Sequence, residues 1–279
     1  MKEFWTRFAR NRGAVIGLAI LAVVVLVALF ADLIYPQSPW KMVQRPFLPP
    51  FEADGFWLGT DTLGRDVAAG LAHGARVSLI VGLISTAVAL LIGVPLGAAA
   101  GYFGGWVDEA AMRFTEFFQT IPSFALAIVL VAIFQPTLTS VVLAIAVVSW
   151  PPVARLARAE VMSLRTREFV DAARLGGLSN GRILAREILP NAMSPLIVMA
   201  SLMVATAILL ESSLAFLGLG DPNIMSWGYM IGAARTVIRT AWWLSFFPGL
   251  AILLTVLALN LIGEGLNDAL NPRLARQGR

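Results

Sequence analysis

The sequence predicts an all-α polytopic membrane protein with six transmembrane helices and with both termini on the cytoplasmic side. Hydrophobic residues make up 58% of the 279 residues, charged residues make up only 14%, and the mean hydropathy is +0.78. A water-soluble domain usually has about a quarter of its residues charged. The apolar residues also fall in long uncharged runs, and about 20 such residues are enough for a helix to cross a bilayer.

The spans follow from these runs in chain order. The first run resembles a secretory signal because basic residues precede it, but it is longer than the hydrophobic region of such a signal and no convincing cleavage site follows. We therefore interpret it as an uncleaved span. The 38 uncharged residues between Glu116 and Arg155 are enough for two helices, with a turn at Gln135-Pro136. Pro151 is expected to bend the second of these near its end. The predicted spans are 13–31, 77–101, 114–134, 137–156, 188–210 and 242–263.

A row of glycines recurs every four residues along the second span. Small residues at this spacing let two membrane helices approach closely. We interpret the row as a packing surface and not as a substrate site. Its members are Gly93, Gly97, Gly101 and Gly105.

The basic residues predict the orientation. Cytoplasmic loops of membrane proteins carry an excess of lysine and arginine. With both termini inside, fifteen of the 21 basic residues are cytoplasmic: four at the N-terminus, Arg113, seven in 155–187 and three in the tail. Topology thus explains the pI of 10.1, and no nucleic-acid partner is expected, although the basic face can contact anionic lipid. The other six are Lys41, Arg45, Arg65, Arg76, Arg235 and Arg239.

We expect no catalytic, cofactor or metal site in this chain. The absence of cysteine excludes disulfides and thiolate chemistry, and His73 is the single histidine. Lys2 and Lys41 are the only lysines and neither lies in a G-x-x-x-x-G-K motif, so there is no P-loop for ATP. The spans are also almost free of the ionisable groups that secondary transporters place near the midplane.

The loop 155–191 is too long and too patterned for a simple connector. Residues 168–175 are predicted to form a short helix that ends at the glycine pair 176–177. A second short helix begins after Ser179 and is broken by Pro190. Two short helices at a sharp angle form a projection that suits a groove in a partner protein.

Part of this loop resembles a known motif. The EAA loop of bacterial ABC importer permeases reads roughly E-A-A-x-x-x-G, then nine residues, then I-x-L-P. Here aspartate replaces the first glutamate, and Glu187 departs from the pattern at the isoleucine position. The matching residues are Asp171, Ala172, Ala173, Gly177, Leu189 and Pro190.

Three further segments narrow the resemblance to the C-type permease subunits of dipeptide and oligopeptide ABC importers. Residues 58–66, LGTDTLGRD, are similar to the L-G-T-D-x-x-G-R-D segment before the second span of those subunits. Residues 211–220, ESSLAFLGLG, and 264–273, EGLNDALNPR, are similar to two later segments of the same group. The resemblance covers nearly the whole chain in order.

The resemblance implies an inner-membrane pathway subunit that is not an enzyme. Its implied partners are a second, B-type permease subunit, two ABC ATPase subunits that bind the ATP and magnesium, and a periplasmic or lipid-anchored substrate-binding protein. The six residues matching the EAA motif are then the ones that couple this chain to the ATPase. The chain divides into 1–35 with the first span, a periplasmic segment 36–75, and a five-helix core 76–279.

Four charged residues outside the loop have open roles. Asp61 and Arg65 are predicted to form a local ion pair on an exposed helix, and together with Asp66 to lock the start of the second span near the docked binding protein. A metal site at these residues is disfavoured. Glu211 is a functional candidate as a carboxylate within a span, and we favour a structural pairing with Arg235 or Arg239.

The cargo also stays open at this stage. A related importer of a nickel chelate, glutathione or an opine would have the same architecture. A secondary transporter or a structural membrane subunit is the alternative from another class, and neither of these needs an EAA loop. The sequence names no substrate-contacting residue.

Overall fold

The computed structural model describes residues 2–270, and within that range the regular secondary structure is helical, with two isolated β-bridges, no strand and a long non-helical segment at 35–66. Asn271, Pro272 and Arg273 of the last motif therefore lie outside the described residues. The helices are α1 (Lys2–Arg10), α2 (Arg12–Leu29), α3 (Ala31–Ile34), α4 (Val67–Phe103), α5 (Gly105–Thr120), α6 (Ser123–Phe134), α7 (Leu138–Leu164), α8 (Glu168–Leu175), α9 (Asn180–Arg182), a π-helical turn (Ile183–Ile188), α10 (Leu189–Phe216), α11 (Trp227–Ala234) and α12 (Trp243–Leu270).

Five of the described helical stretches are long and apolar enough to cross a membrane: α2, α4, α7, the continuous stretch Asn180–Phe216, and α12. They overlap the predicted first, second, fourth, fifth and sixth spans. The pair α5 and α6 adds a sixth crossing only if both count as one span bent by 82°.

The second span is much longer than predicted. α4 has 37 residues and begins at Val67, where Asp66 caps it by accepting a hydrogen bond from the backbone N–H of Ala68 at 2.9 Å. The prediction began at 77 because Arg76 ends the uncharged run. Charge marks where a helix leaves the hydrocarbon layer, whereas the helix itself continues until its backbone is capped.

The prediction of one continuous third span is wrong. α5 and α6 are separated at Ile121 and Pro122, and Ile121 has an extended backbone with φ −92° and ψ 129°. The ring of a proline disfavours the helical conformation of the residue before it. α6 has 12 residues, a length of ~18 Å that cannot cross a bilayer alone.

Two other helical stretches contain prolines within their length. α7 continues through Pro151 and Pro152 and ends at Leu164. The predicted break at Pro190 is also wrong, because α9, the π-helical turn and α10 form one stretch. In that turn the N–H of Leu189 bonds to the carbonyl of Leu184, five residues back, so the helix widens just before the proline.

The glycine row packs α4 against α7. A β-carbon on Gly93, Gly97 or Gly101 would lie 2.7, 2.0 or 2.6 Å from a backbone oxygen of α7. The fourth member of the predicted row, Gly105, lies beyond the end of α4 and begins α5 with a φ of +53°. Three of the four glycines therefore form the packing surface.

The helix bundle has two distinguishable ends, which we name the loop end and the far end. The hydroxyl of Tyr102, at the last turn of α4, bonds to Asn180, so α8 lies at the C-terminal end of α4; this is the loop end. Arg76, near the start of α4, donates to the carbonyl of Ala28 in the last turn of α2 at 3.2 Å, so α2 begins at the loop end.

The end of α12 lies there too, because Asn11 donates to Asp268 at 2.9 Å. The described N-terminus and the described end of α12 thus share one end of the bundle with α8. The start of α4 and residues 58–66 lie at the far end.

Candidate functional site

The short helix α8 has the predicted bounds and the predicted stop. The N–H of Gly177 bonds to the carbonyl of Arg174 at 3.0 Å, and the N–H of Leu178 bonds to that of Ala173 at 3.2 Å. This pair of bonds is the Schellman motif, which needs a residue of positive φ after the helix. Gly177 supplies it with a φ of +76° and has no atom within 4 Å of its β position. The glycine is thus required by the backbone conformation and not by a close approach within this chain.

One face of α8 packs on the rest of the chain. Val170 is fully buried, and Ala173 is partly buried beside it. They join a cluster that draws on α4, α7, the π-helical turn and α10, whose buried members are Ala98, Tyr102, Val161, Val170, Ile183 and Ile188. This cluster seats α8 on the end of the bundle.

The other face of α8 is open. Ala172 is exposed, and Leu175 is 91% exposed although it is apolar. Asp171 is exposed and accepts a hydrogen bond from Arg174 at 3.0 Å within the same helix. Phe169 of the same helix is also exposed, at 38%, so α8 presents two apolar side chains outside the buried cluster.

The structure divides the six EAA-matching residues into two groups. Ala173 and Leu189 contribute to the buried cluster that holds α8. Asp171, Ala172, Gly177 and Pro190 are exposed. The motif therefore contains residues that seat the helix as well as residues available to a partner.

The sequence did not reveal the polar contacts that fix the loop from both sides. Arg165, just before α8, donates to the backbone carbonyls of Gly101 and Tyr102 at 3.0 and 3.3 Å. Asn180, just after α8, accepts a hydrogen bond from the Tyr102 hydroxyl at 3.0 Å. These contacts join residues more than 60 positions apart, and no spacing pattern marks them.

A second contact at the loop end holds α5 against α7. The guanidinium of Arg158 forms two hydrogen bonds with the carboxylate of Asp108, one of them 2.6 Å long. The two side chains are 32% and 19% exposed, so water screens them only in part. A bidentate arginine–carboxylate pair fixes direction as well as distance.

The far-end residues 58–66 form a turn, so the predicted exposed helix is wrong. The carboxylate of Asp61 accepts from the backbone N–H groups of Leu63 and Arg65, both at 2.8 Å. Its closest approach to the Arg65 guanidinium is 3.9 Å. Asp61 thus mainly shapes its own turn, because the backbone donors compete successfully for the carboxylate.

The side chain of Arg65 is directed away from solvent and lies beside two aromatic side chains. Its guanidinium carbon lies 4.7 Å from the ring centre of Trp40, and one of its nitrogens lies 3.4 Å from the hydroxyl of Tyr229. The arginine therefore contacts the segment after α3 through a cation–π interaction with Trp40 and contacts α11 through its hydrogen bond to Tyr229.

Two glycines and a threonine complete this turn. Gly59 and Gly64 both have a φ of +77°, and a β-carbon on either would lie within 2.3 Å of a backbone oxygen. The buried Thr60 hydroxyl accepts from Leu48, and the Thr60 carbonyl accepts from the indole of Trp243 at 3.2 Å. Residues 58–66 thus form a compact joint between the 42–52 segment, α4 and α12.

Asp66 ends this joint as the cap of α4. Burial raises the pKa of its carboxyl above the ordinary value, because the effect of burial exceeds that of two backbone hydrogen bonds, which lower the pKa.

His73 contacts the carbonyl of Tyr35 at 3.2 Å. Over residues 2–270 no group of three or more potential metal ligands comes together.

Glu211 is buried in α10 and bonded to hydroxyl groups. One oxygen accepts from Ser226 at 2.7 Å, and the other lies 3.4 Å from the hydroxyl of Ser212. Ser226 also caps α11 by accepting from the N–H of Tyr229 at 2.9 Å. A β-carbon on Gly228 would lie 2.7 Å from the carboxylate, so α11 passes directly over it.

The expected pairing of Glu211 with Arg235 or Arg239 is wrong for the described part of the chain, where no ion pair includes Glu211. Arg235 donates instead to the carbonyl of Phe216 at 3.1 Å. The last turn of α10 leaves backbone carbonyls without helical partners, and the arginine satisfies one of them. Glu211 therefore has a structural role that differs from the predicted ion pair: its carboxylate anchors the start of α11.

Comparison with known proteins identifies the family. The family described as "Binding-protein-dependent transport system inner membrane component" matches residues 93–276, and the family described as "N-terminal TM domain of oligopeptide transport permease C" matches residues 1–50. The first match alone spans more than half of the chain.

Three curated relatives are similar over 98% of this chain. The di/tripeptide transport system permease protein DppC of Pseudomonas aeruginosa (strain UCBPP-PA14) is 46% identical, with 92% of its length covered. The dipeptide transport system permease protein DppC of Escherichia coli (strain K12) is 45% identical, with 93% covered. The glutathione transport system permease protein GsiD of Pectobacterium atrosepticum is 38% identical, with 91% covered.

A solved structure supports the fold. A chain in the inward-facing MetNI methionine ABC transporter superposes with a TM-score of 0.58 at 18% sequence identity, covering 72% of this chain and 96% of that chain. The chain therefore belongs to the family of binding-protein-dependent transport system inner membrane components, which are multi-pass proteins of the inner membrane.

Proposed function

We propose that this chain is the permease subunit of an ABC importer that carries dipeptides and oligopeptides, and that ATPase subunits drive it through α8. The observation that carries the proposal is the division of α8 into a seated face and an open face. Val170 and Ala173 hold the helix on the bundle, while Ala172 and the 91% exposed Leu175 are presented outward. The peptide cargo is supported by the names of two relatives that are 46% and 45% identical.

In this proposal the loop end faces the cytoplasm. The described N-terminus and the described end of α12 both lie at that end. Most of the arginines and lysines of the sequence belong to segments that begin or end there. The membrane potential and the translocation machinery both favour basic segments on the cytoplasmic side. The far-end joint around Thr60 and Arg65 then faces the substrate-binding protein.

The mechanism requires three kinds of protein partner. A second, B-type permease subunit completes the pathway, two ATPases bind ATP and magnesium, and a periplasmic or lipid-anchored binding protein delivers the peptide. Closure of the ATPases moves the helices that carry α8, so that one opening of the pathway closes as the other opens. This chain binds no cofactor of its own and contributes binding, docking and movement.

Glutathione is the alternative cargo, because one relative at 38% identity is a glutathione permease protein. A nickel chelate or another small solute would need no ligand from this chain. Family membership and the seated α8 disfavour a secondary transporter or a structural subunit. Uptake of a labelled dipeptide by cells with and without the gene, with glutathione as competitor, distinguishes the two peptide-like cargoes.

Gentle detergent purification of the tagged chain from its native membranes tests the assembly. We expect a second six-span subunit and P-loop ATPases to copurify. Recovery of the chain alone, under conditions that preserve other membrane complexes, would refute the proposal.

A variant of α8 tests the docking face directly. Ala172→Trp adds bulk to the open face, so the ATPases should be lost while the second permease subunit is retained. Ala173→Trp is a poorer test, because Ala173 contributes to the buried cluster and a bulky side chain there displaces α8 itself. Arg113→Trp, at a side chain that is 76% exposed on α5, is the matched control and should keep both partners.

A further inference from the structure

The last turn of α4 holds the loop around α8 on both of its sides. Arg165, the residue that follows α7, reaches the carbonyls of Gly101 and Tyr102. The hydroxyl of Tyr102 reaches Asn180 at the start of the following helix. The helix α8 is thus enclosed between two polar contacts to one and the same turn.

Burial orders the tyrosine of the second contact. Tyr102 is 7% exposed, and its ring lies in the cluster that also contains Val170 of α8. The hydroxyl is therefore held by a packed ring and not by a mobile side chain. Because the ring is already ordered, the tyrosine loses little additional conformational entropy when its hydroxyl forms the hydrogen bond.

The two contact residues in the loop are tied closely to α8. Only Thr166 and Arg167 separate Arg165 from α8, and the N–H of Arg167 bonds to the carbonyl of Leu164. On the other side, the turn 176–179 that leads to Asn180 is closed by the backbone bonds of Gly177 and Leu178 to α8. Both contact residues should therefore move with α8, and α4 is one helix of 37 residues that reaches the far-end joint at Asp66.

We infer that Tyr102 and Arg165 are positioning residues that transmit displacement of α8 to α4, so that α4 carries the movement from the loop end to the far end. The inference rests on the proposed function, since it needs ATPases that move α8. It goes beyond that function by naming the helix that moves with α8 and the side chains that make it do so.

The test uses the full complex with its ATPases and binding protein, reconstituted in lipid. Tyr102→Phe removes the hydroxyl and leaves the ring in its cluster. We expect unchanged assembly and unchanged basal ATP hydrolysis, together with a loss of about three- to tenfold in both transport and the stimulation of hydrolysis by the peptide-loaded binding protein. A purely structural role would alter assembly and basal hydrolysis instead.

Matched variants isolate the hydrogen bond. Asn180→Asp keeps an acceptor and should remain close to wild type, whereas Asn180→Ala should reproduce the loss. The double variant Tyr102→Phe/Asn180→Ala should be no worse than either single variant, because both remove the same bond. Tyr35→Phe is the control for loss of a hydroxyl at the far end.

Two results would overturn the inference: stimulation in Tyr102→Phe equal to that of wild type, or equal losses in Asn180→Asp and Asn180→Ala. If Tyr102→Phe does not assemble, the two Asn180 variants decide the question. Failure of the proposed function is distinguishable, because the ATPases would then be missing from the wild-type preparation itself.

Discussion

A β-carbon on Gly97 would lie 2.0 Å from the carbonyl oxygen of Ala154, so the backbones of α4 and α7 touch without an intervening side chain. Gly93 and Gly101 repeat this close approach one turn away on either side. Within lipid no water-driven force holds two helices together, and van der Waals packing between small residues takes its place. A single methyl group added at one of these glycines would therefore displace α7 from α4.

Gly97→Ala is expected to lower the stability of the folded chain in detergent. The added methyl group must push α7 away, and overpacking of this kind costs about 1–3 kcal/mol. The midpoint of thermal unfolding, followed by size-exclusion chromatography, should fall. Gly249→Ala in α12, where no atom lies within 4 Å of the β position, is the control and should leave the midpoint unchanged. Equal midpoints for the two variants would contradict the packing interpretation.

The ion pair of Asp108 and Arg158 should contribute measurably to the attachment of α5. A double-mutant cycle with Asp108→Asn and Arg158→Gln is expected to give a coupling energy of about 1–2 kcal/mol, because the pair is bidentate and partly shielded from water. The neighbouring pair of Glu109 and Arg113 is 63% and 76% exposed. Its cycle should give no more than about 0.5 kcal/mol. Similar couplings for both pairs would show that shielding is irrelevant here.

We expect Glu211 to hold α11 by accepting a hydrogen bond, a role that needs an acceptor oxygen and not a negative charge. Glu211→Gln keeps an oxygen for the Ser226 hydroxyl and should stay close to wild type in thermal stability. Glu211→Ala leaves that buried hydroxyl without its acceptor, a loss of about 1–3 kcal/mol. Combining Glu211→Gln with Arg235→Gln should give additive effects, since Arg235 bonds to Phe216. Strong coupling between the two positions would restore the ion-pair interpretation.

Gly177→Ala should loosen α8 without changing any side-chain contact. An alanine at a φ of +76° is strained by about 1–2 kcal/mol. Trypsin should then cut faster after Arg174 and Arg182, which flank the turn. Gly181→Ala is the comparison, because Gly181 is helical and has nothing within 4 Å of its β position. Unchanged cleavage in Gly177→Ala would show that the turn tolerates a side chain.

Local signals carried much of the fold prediction. The bounds of α8 and its glycine stop could be predicted because all of the deciding residues lie within ten positions of one another. The turn at Gln135 was also predictable, and it has a φ of +66°. The break at Pro122 could have been found by the same reasoning that disfavours a helical residue before proline. Continuation through Pro151 and Pro190 could not, since neighbouring helices and a π-helical turn compensate for the lost backbone bonds.

The candidate site was predictable only in part. Motif resemblance marked Ala173 and Gly177 but could not distinguish the seated residue from the exposed turn. The contact of Tyr102 with Asn180 depends on how α4 and the loop pack, which no pattern within either segment expresses. Glu211 was recognised as an unusual residue, yet its true partner, Ser226, is an uncharged side chain that a search for opposite charges passes over.

The length of α4 has a mechanical consequence. Its 37 residues make a rod of about 55 Å, nearly twice the ~30 Å thickness of the hydrocarbon layer. If such a helix pivots near its middle, a tilt of about 10° moves its two ends by about 5 Å in opposite directions. Movement of the loop end of α4 in one direction is then accompanied by movement of its far end in the opposite direction. A single helix would thus couple the opening of one side of the pathway to the closing of the other, without a separate gate at each side.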